Sequence, residues 1–258
     1  MAPTVDTSTT TSVERALSIL ETVAQEERGL THSDISRRLD IPKSTTTYLL
    51  RTLESRSYLR KNEDTGRFQI GIKVLGLGQH VMAGVNLTQI SHPHLVDLVE
   101  RTRLTAHIAI LDHGRAVYID RAESPGFVKI NTWIGRDLPV HSTGVGKILV
   151  SELDPSQRDQ ILERDGLPKK TPKTITSRDD FIRDLERVRQ AGYAIDDEEN
   201  NLGVRCVAVP VRDSTGRIRA ALGASGTTSA FPTSAIPQMA KLALDTADAI
   251  SEELGYGI

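Results

Sequence analysis

The 258 residues are enough for one large or two ordinary domains, and a composition that is 38% hydrophobic and 26% charged is typical of a soluble globular protein. The sequence contains no stretch of the roughly 20 apolar residues that a transmembrane helix needs, and its single cysteine, Cys206, cannot form a disulfide within the chain. We therefore expect a cytoplasmic protein with no membrane attachment. Residues 1–10 are rich in Thr and Ser and lack the apolar core of a signal peptide, so we expect a mobile tail and no export signal.

The net charge of −2 argues against a uniformly basic surface, but the charge is unevenly distributed. Between Arg28 and Lys73, ten Lys and Arg residues stand against five Asp and Glu residues, while the rest of the chain is acidic. This local surplus favours contact with a polyanion; the alternative is ordinary variation of charge on solvated faces.

Three helices are predicted in the first 55 residues. Capping boxes at Thr11 and at Thr31 open the first helix and a short second helix that ends near Asp40, each followed by apolar residues at helical spacing. The turn Asp40-Ile41-Pro42 leads into a third helix over residues 42–55, because proline suits the first turn of a helix.

The third helix has two distinct faces. Its buried face is predicted to hold Thr46, Leu49, Leu50 and Leu53, and its exposed face to hold Ser44, Thr47, Tyr48 and Arg51. Hydroxyl groups, an aromatic ring and a guanidinium are groups that bind phosphates and base edges, so the pattern favours a DNA-recognition helix. The alternative is a Thr-rich helix whose hydroxyls face only water.

A β-hairpin wing is predicted after this helix. Two extended segments, 58–60 and 67–70, flank a turn at residues 61–66 that contains Asp and Gly. With the third helix in the major groove, the wing would contact the phosphate backbone. The predicted DNA-binding residues are therefore Lys43, Ser44, Thr45, Thr47, Tyr48, Arg51, Arg60, Lys61 and Arg67. Five phosphate-type cations are few for a monomer, which implies paired half-sites and a homodimer or tetramer.

Five motifs, in order and at matching spacing, resemble the IclR family of bacterial transcriptional regulators over residues 12–255. They are the runs SVERAL at 12–17, IPKST at 41–45, GRF at 66–68, LPVHSTGVGK at 138–147 and GVRCVAVPV at 203–211. The chain departs from the family pattern at Thr47-Tyr48, where many members of the family carry His-Arg. The operator sequence therefore need not follow that of the family.

The rest of the chain is predicted to form a linker and a sensor domain. A Gly-rich helix over residues 72–85 would join the DNA-binding domain (11–71) to an effector-binding and oligomerisation domain (86–258). In the latter we predict helices at 87–102, 144–150, 155–164, 178–190 and from about 234, and strands at 106–111, 116–120, 128–131, 206–211 and 219–224. Hairpin-paired strands with helices grouped elsewhere indicate an α+β fold, and the resemblance implies a GAF-like antiparallel sheet flanked by helices.

A glycine turn and the family resemblance together predict the position of an effector site. Gly144 and Gly146 lie where a helix begins, so backbone N–H groups and the helix dipole favour an anion there, although glycines are commoner for turn geometry. The resemblance implies polar contacts from Gly144, Val145, Asp196, Cys206 and Ser225, with apolar walls from Ile130, Leu138 and Val204. Trp133 either lines this pocket or shields the sheet edge. Gly223 replaces a serine that the family often carries, which removes a hydroxyl and suggests a different or larger effector group.

Three other functions are compatible with parts of the sequence. Cys206, His141 and Asp196 could form a nucleophile, base and orienting acid, but no nucleophile elbow, phosphate loop or nucleotide-binding motif occurs. Histidines at 92, 94, 107, 113 and 141 could bind a metal, but no compact four-ligand spacing is present. A DNA-architectural protein that needs no ligand is the third alternative. The interpretation that accounts for most of the residues is a regulator that responds to a small organic acid, with no enzymatic activity and no cofactor. The family resemblance implies a repressor, because repressors are commoner than activators in that family.

Overall fold

The computed structural model describes residues 11–77, 86–123 and 133–257. The predicted tail at 1–10, residues 78–85 of the predicted linker helix and the predicted strand at 128–131, with Ile130, lie outside the described residues. Contacts between Cα atoms divide the chain into two units, 1–85 and 86–258.

The first unit has the three predicted helices and the predicted hairpin. Its helices are α1 (Thr11–Ala24), α2 (His32–Arg38) and α3 (Lys43–Ser55), and its strands are β1 (Leu30–Thr31), β2 (Leu59–Lys61) and β3 (Arg67–Ile70). The strands form an antiparallel sheet in the order β1-β3-β2. After it, residues 73–77 are helical. Strand β1 was not predicted, because two residues carry no alternation of their own.

Apolar side chains from all three helices and the hairpin form the core of this unit. Ile19, Ile35, Leu50 and Phe68 are among its members. The capping box at Thr31 is present, since its hydroxyl accepts a hydrogen bond from the backbone of Asp34 and the Asp34 carboxylate accepts one from the Thr31 backbone. Pro42 is the residue before α3 rather than part of its first turn.

The second unit contains five α-helices among its described residues. They are α4 (Asn86–Thr102), α5 (Gly144–Ser151), α6 (Pro155–Asp165), α7 (Arg178–Ala191) and α8 (Ile236–Glu253). Pro93 lies inside a continuous α4, and Gly192 ends α7 in the left-handed conformation, as predicted. A short 3-10 turn, Thr233–Ala235, precedes α8, so the last α-helix begins two residues later than predicted.

Among the described residues of this unit, six antiparallel strands form a sheet in the order β6-β5-β4-β9-β8-β7. They are β4 (Thr105–Asp112), β5 (Arg115–Ala122), β6 (Asp137–Leu138), β7 (Ala194–Asp197), β8 (Val204–Arg212) and β9 (Ile218–Thr227). Strands β4, β5, β8 and β9 overlap predicted strands and extend beyond them. Strands β6 and β7 were not predicted. The α+β fold with an antiparallel sheet is confirmed. None of the described helices is long and apolar enough to span a membrane.

Helix α5 packs on one face of the sheet at very short range. A Cβ atom added to Gly144 would lie 3.1 Å from the Cβ of Ala208 on β8, and one added to Gly146 would lie 2.5 Å from the Cα of Val140, in the segment that leads into the helix. Neither glycine has a positive φ, so close approach explains them and turn geometry does not.

The fourth residue of α5, Lys147, is a fully buried cation. Its Nζ lies 2.6 Å from Oε1 of Glu199 and 2.8 Å from Oδ2 of Asp184, and it donates a hydrogen bond to the Ile195 carbonyl. Burial raises the pKa of Glu199, and the Lys147 charge opposes that shift. This cluster joins α5 to α7 and to the turn that follows β7.

We expect Lys147→Met to destabilise the second unit by about 3–5 kcal/mol at pH 8, because it leaves the buried Glu199 carboxylate without its cation, while the half-buried Asp184 keeps only Arg187. The loss should shrink at pH 5, since the raised pKa of Glu199 rises further without Lys147 and protonation then removes the buried charge. Urea unfolding followed by the fluorescence of Trp133, the only tryptophan, measures both values.

Lys173→Met is the matched control. Lys173 also binds two carboxylates, those of Asp197 and Glu198, but on the surface, where solvent screens such pairs and they contribute little to stability. An equal loss for both variants, or a Lys147→Met deficit that does not change with pH, would contradict the proposed role of the buried charge.

Candidate functional site

Helix α3 and the wing formed by β2 and β3 carry the residues that the sequence predicts to bind DNA. The apolar face of α3 is buried as predicted, through Thr46, Leu49, Leu50 and Leu53. On the other side Tyr48 is 71% exposed, and Ser44 and Arg51 are also exposed. Lys43, Ser44 and Thr45 form the first turn of α3, where N–H groups favour a phosphate.

Two of the predicted DNA-binding residues make contacts within the protein. The Thr47 hydroxyl donates to the Lys43 carbonyl at 2.9 Å and lies 2.9 Å from Nε2 of His32, so its orientation is fixed. Arg67 donates from Nη1 to the Gly29 carbonyl at 2.8 Å and is half-buried at the base of the wing.

The other cations of this surface remain available. Within residues 11–77, 86–123 and 133–257, Lys43, Arg51 and Arg60 have no ion-pair partner, and Lys61 has only Glu63 at 3.9 Å. Arg60 and Lys61 are exposed on β2 at the edge of the wing. The structure thus brings together an exposed recognition face and a basic wing edge on one unit.

A second group of predicted residues meets on the α5 side of the large sheet. In the strand register, Asp196 pairs with Cys206, Cys206 with Ser225, and Ser225 with Thr105. Directly opposite residues point to the same face, with Cβ atoms about 4.5–5.5 Å apart. These four buried polar side chains therefore form one row across β7, β8, β9 and β4, which we call the polar row.

The N-terminus of α5 lies over the polar row. A Cβ atom placed on Gly144 would be 3.5 Å from Sγ of Cys206. The Thr143 hydroxyl accepts a hydrogen bond from the Gly146 amide, while the amides of Gly144 and Val145 belong to the first turn, whose N–H groups have no partner within the helix. The arrangement can bind an anion against the row.

Burial sets the ionisation of this site. It raises the pKa of Cys206 to about 12, so the thiol stays protonated at neutral pH, and it raises the pKa of Tyr118 as well. It raises the pKa of Asp196 to about 7, against the opposing effect of the Asn200 and Glu199 amides that donate to its Oδ1. Asp196 is therefore the one member of this set that titrates near neutrality.

The predicted apolar walls are placed differently from one another. Leu138 is buried in the core between α5 and the sheet, and Val204 is half-buried at the start of β8. Val145, implied as a polar contact, has its side chain buried in the same core as Leu138. Ile130 lies outside the described residues. Trp133 is 44% exposed, and the Arg136 guanidinium lies 4.7 Å from its ring centroid.

Sequence reasoning missed two aromatic neighbours of the polar row. His107 on β4 is fully buried, with Nε2 4.0 Å from Sγ of Cys206, and its ring meets that of Tyr118 edge to face at 4.5 Å. His107 was considered only as a possible metal ligand. The alternation in β4 predicts that it shares a face with Thr105, but no local signal indicates which residues lie opposite.

The residues named for catalysis and metal binding have other partners. Nε2 of His141 lies 3.0 Å from the Pro168 carbonyl, and the imidazole beside Cys206 is His107 instead. His92 binds Asp120 and His94 binds Glu253. Among the residues that the structure describes, no group of three or more His, Cys, Asp or Glu side chains could hold a metal ion.

Two family models match the chain. The IclR helix-turn-helix domain matches residues 12–63, and the domain described as bacterial transcriptional regulator IclR C-terminal matches residues 79–252.

Relatives and solved structures match almost the whole chain. The regulator XynR of Escherichia coli K12 is 36% identical over 95% of this chain and 97% of its own, and the repressor AllR of the same strain is 30% identical over 95% and 90%. The crystal structure of Thermotoga maritima IclR matches with a TM-score of 0.79 and 30% identity over 95% of this chain and 99% of its own. An IclR homologue from Microbacterium hydrocarbonoxydans, complexed with 4-hydroxybenzoate, matches with a TM-score of 0.81 and 25% identity over 94% and 98%. The chain therefore belongs to the IclR family of bacterial transcriptional regulators.

Proposed function

We propose that this protein is a transcriptional repressor that binds duplex operator DNA through α3 and the wing, and whose operator binding is changed by a small organic acid at the polar row. Residues 11–71 read the DNA, residues 86–258 bind the effector, and residues 72–85 link the two. The observation that carries the proposal is the exposed face of α3, where Tyr48 and Arg51 project from a helix whose opposite face is fully packed.

The contacts at the DNA divide into two kinds. Tyr48 and Arg51 lie in the middle of α3, where side chains of a recognition helix reach base edges, and Ser44 and Thr47 flank them. Lys43, Arg60 and Lys61 bind phosphates and set the register of the helix in the groove. Arg67 supports the wing through its bond to the Gly29 carbonyl, and its remaining N–H groups can reach the backbone.

A second copy of the chain is the partner that the first unit favours. Val13 and Leu17 are exposed on one face of α1, and Ile72, Leu75 and Leu77 are exposed after the wing. Exposed apolar side chains grouped on a small unit indicate an association surface, and a dimer doubles the number of phosphate contacts. We therefore propose a homodimer, or a tetramer made from two such dimers, on paired half-sites.

The effector site is proposed from the α5 N-terminus and the polar row. The Gly144 and Val145 amides would bind a carboxylate, while Cys206 and Ser225 offer uncharged hydrogen-bonding groups below it and Asp196 offers one when it is protonated. Val204, Leu138, Ile130 and Trp133 complete the proposed contacts. The complex of the Microbacterium homologue with 4-hydroxybenzoate, an organic acid, supports this class of ligand.

The names of relatives favour repression, and two alternative functions lose support from the structure. Repression is proposed because relatives of this chain carry the names AllR repressor and acetate operon repressor. A catalytic role for Cys206 loses support because a pKa of about 12 leaves almost no thiolate at neutral pH. A metal-responsive role loses support because His92 and His94 already bind carboxylates.

We expect Arg51→Ala to weaken binding to the operator by about 1–3 kcal/mol and to relax its sequence preference, because Arg51 is proposed to read a base edge. Arg60→Ala should instead weaken binding to all duplexes alike and reduce the slope of log K against log salt by about 1. Fluorescence anisotropy with duplexes that tile the region upstream of the gene, at two salt concentrations, measures both effects.

Arg219→Ala is the control, because it removes the same charge from an exposed position on β9. Its affinity for DNA should equal that of the wild type. If Arg51→Ala also binds like the wild type, α3 is not the recognition helix. If no duplex is bound at low salt, with or without acids, the regulator function itself fails.

We expect the affinity for carboxylic acids to fall about tenfold between pH 6 and pH 8. Asp196 has a pKa raised to about 7, so it is protonated below that pH and can donate a hydrogen bond, while above it a second carboxylate repels the ligand. The acids themselves, with pKa values near 4, stay ionised throughout this range. Isothermal titration with 4-hydroxybenzoate and short-chain acids at both pH values measures the change.

Asp196→Asn should flatten this profile, because the amide is uncharged at every pH. Glu199 and Lys147, the other charged groups that act on Asp196, remain paired with each other in the variant. An affinity that rises with pH in the wild type, or a profile that keeps its slope in Asp196→Asn, would be inconsistent with a carboxylate bound beside Asp196.

A further inference from the structure

His32, the first residue of α2, contacts α3 through one ring nitrogen. Its Nε2 atom lies 2.9 Å from the Thr47 hydroxyl and 3.2 Å from the Lys43 carbonyl oxygen. The capping box at Thr31 begins α2 at this residue, and Thr31 pairs with Arg67 in the sheet of the wing. The backbone that carries His32 is therefore fixed relative to the wing.

These contacts determine where the protons lie. A carbonyl oxygen only accepts hydrogen bonds, so Nε2 of His32 carries the proton that it shares between Lys43 and Thr47. The charged imidazolium also has an N–H at this position, so the result is the same in both protonation states. The Thr47 hydroxyl donates its only proton to the Lys43 carbonyl at 2.9 Å. It accepts from His32 with one of its two lone pairs, and one lone pair is left.

Thr47 therefore has no proton left for DNA. It shares a face of α3 with Ser44, three residues before it, and with Arg51, four residues after it, and it is half-buried next to the exposed Tyr48. Toward a groove it presents a methyl group and an oxygen that can only accept. The donors on base edges in the major groove are the amino groups of adenine and cytosine, whereas guanine and thymine offer acceptors there.

We propose that His32 and Thr47 act as a pair in base recognition. His32 is a positioning residue that makes the Thr47 hydroxyl an acceptor, and Thr47 selects adenine or cytosine over guanine or thymine on the strand that it contacts. An exposed threonine without such a partner could rotate its hydroxyl to donate or to accept, and would tolerate all four bases. This inference rests on the proposed function, because it requires α3 to lie in the major groove.

The first test identifies the base that Thr47 contacts. The full-length wild type and Thr47→Val each select duplexes from a library with a randomised central region. Valine keeps the shape of threonine but cannot accept a hydrogen bond, so the position whose preference disappears in the variant is the position that Thr47 reads. We expect adenine or cytosine at this position in the wild-type selection. Guanine or thymine there, or no position that changes, would overturn the inference.

Base analogues then distinguish an acceptor from a donor. Replacing adenine with purine, or cytosine with 2-pyrimidinone, removes the amino group and should weaken wild-type binding by about 3–10-fold more than it weakens Thr47→Val, as for one hydrogen bond. Where adenine is selected, its 7-deaza form lacks the N7 acceptor and should affect both proteins equally. A loss with 7-deazaadenine that is confined to the wild type would show that Thr47 donates, which contradicts the inference.

Double variants test whether His32 acts through Thr47. His32→Leu should lower the preference for the amino base, because the Thr47 hydroxyl is then free to rotate and donate, and should not change it in a Thr47→Val background. His32→Gln, whose amide keeps an N–H donor, should retain part of the preference. Full preference in His32→Leu would overturn the positioning role. An equal further loss in the Thr47→Val background would also overturn it, since His32 would then contact DNA directly.

Thr22→Val is the matched control. The Thr22 hydroxyl donates the same kind of bond, to the Ser18 carbonyl four residues earlier at 2.7 Å, but it lies on α1, so its loss should leave every base preference unchanged. Each preference is a ratio of two affinities of one preparation, so partial unfolding of a variant cancels. If the wild type binds all duplexes alike, the proposed function fails, and the inference fails with it. If it selects a sequence that Thr47→Val and His32→Leu leave unchanged, only the inference fails.

Discussion

The C-terminal site depends on the close approach of α5 to the sheet. Gly146 packs against the Val140 backbone and Gly144 against Ala208, at distances that leave no room for a Cβ at 146 and little at 144. Because the helix lies this close, the amides of its first turn sit over the Cys206 thiol. A larger side chain at 144 would push the helix away from the sheet and the polar row, and one at 146 would collide with the segment that leads into the helix, so the proposed site depends on both glycines.

Through Lys147, the same helix also fixes the position of β7 and of the turn that follows it, next to Asp196. The Lys147 Nζ binds the Glu199 carboxylate and the Ile195 carbonyl, while the Glu199 amide donates to the Asp196 carboxylate. The residue that titrates near neutrality is therefore positioned by the helix that supplies the amides. A buried ion cluster is a poor source of net stability, because desolvation offsets the Coulomb attraction. Its benefit here is geometric: it fixes the turn after β7 relative to α5.

The sequence predicts local features well and long-range register poorly. The two faces of α3 follow from side chains three and four residues apart, and the wing follows from one turn, so both could be predicted. Asp196, Cys206 and Ser225 were named only through the family resemblance, since their meeting depends on strands that are distant in sequence. His107 was missed as a site residue for the same reason, because nothing near residue 107 indicates that Gly223 lies opposite. The two-residue strands β1 and β6 are too short to carry a pattern.

The ionisation of the polar row bears on how the site could discriminate between ligands. Lys147 is neutralised by two carboxylates, so the attraction offered to an anion comes mainly from the α5 N-terminus. The charge of Arg136 also reaches this region, where it acts on Tyr118. A helix terminus contributes only about 0.3–2 kcal/mol to binding a charge. A buried donor or acceptor left without a partner costs about 1–3 kcal/mol, which is at least as large. Cys206, His107 and Ser225 are all buried and uncharged. If the proposed function holds, such a site would distinguish acids by their neutral substituents at least as strongly as it attracts their carboxylates.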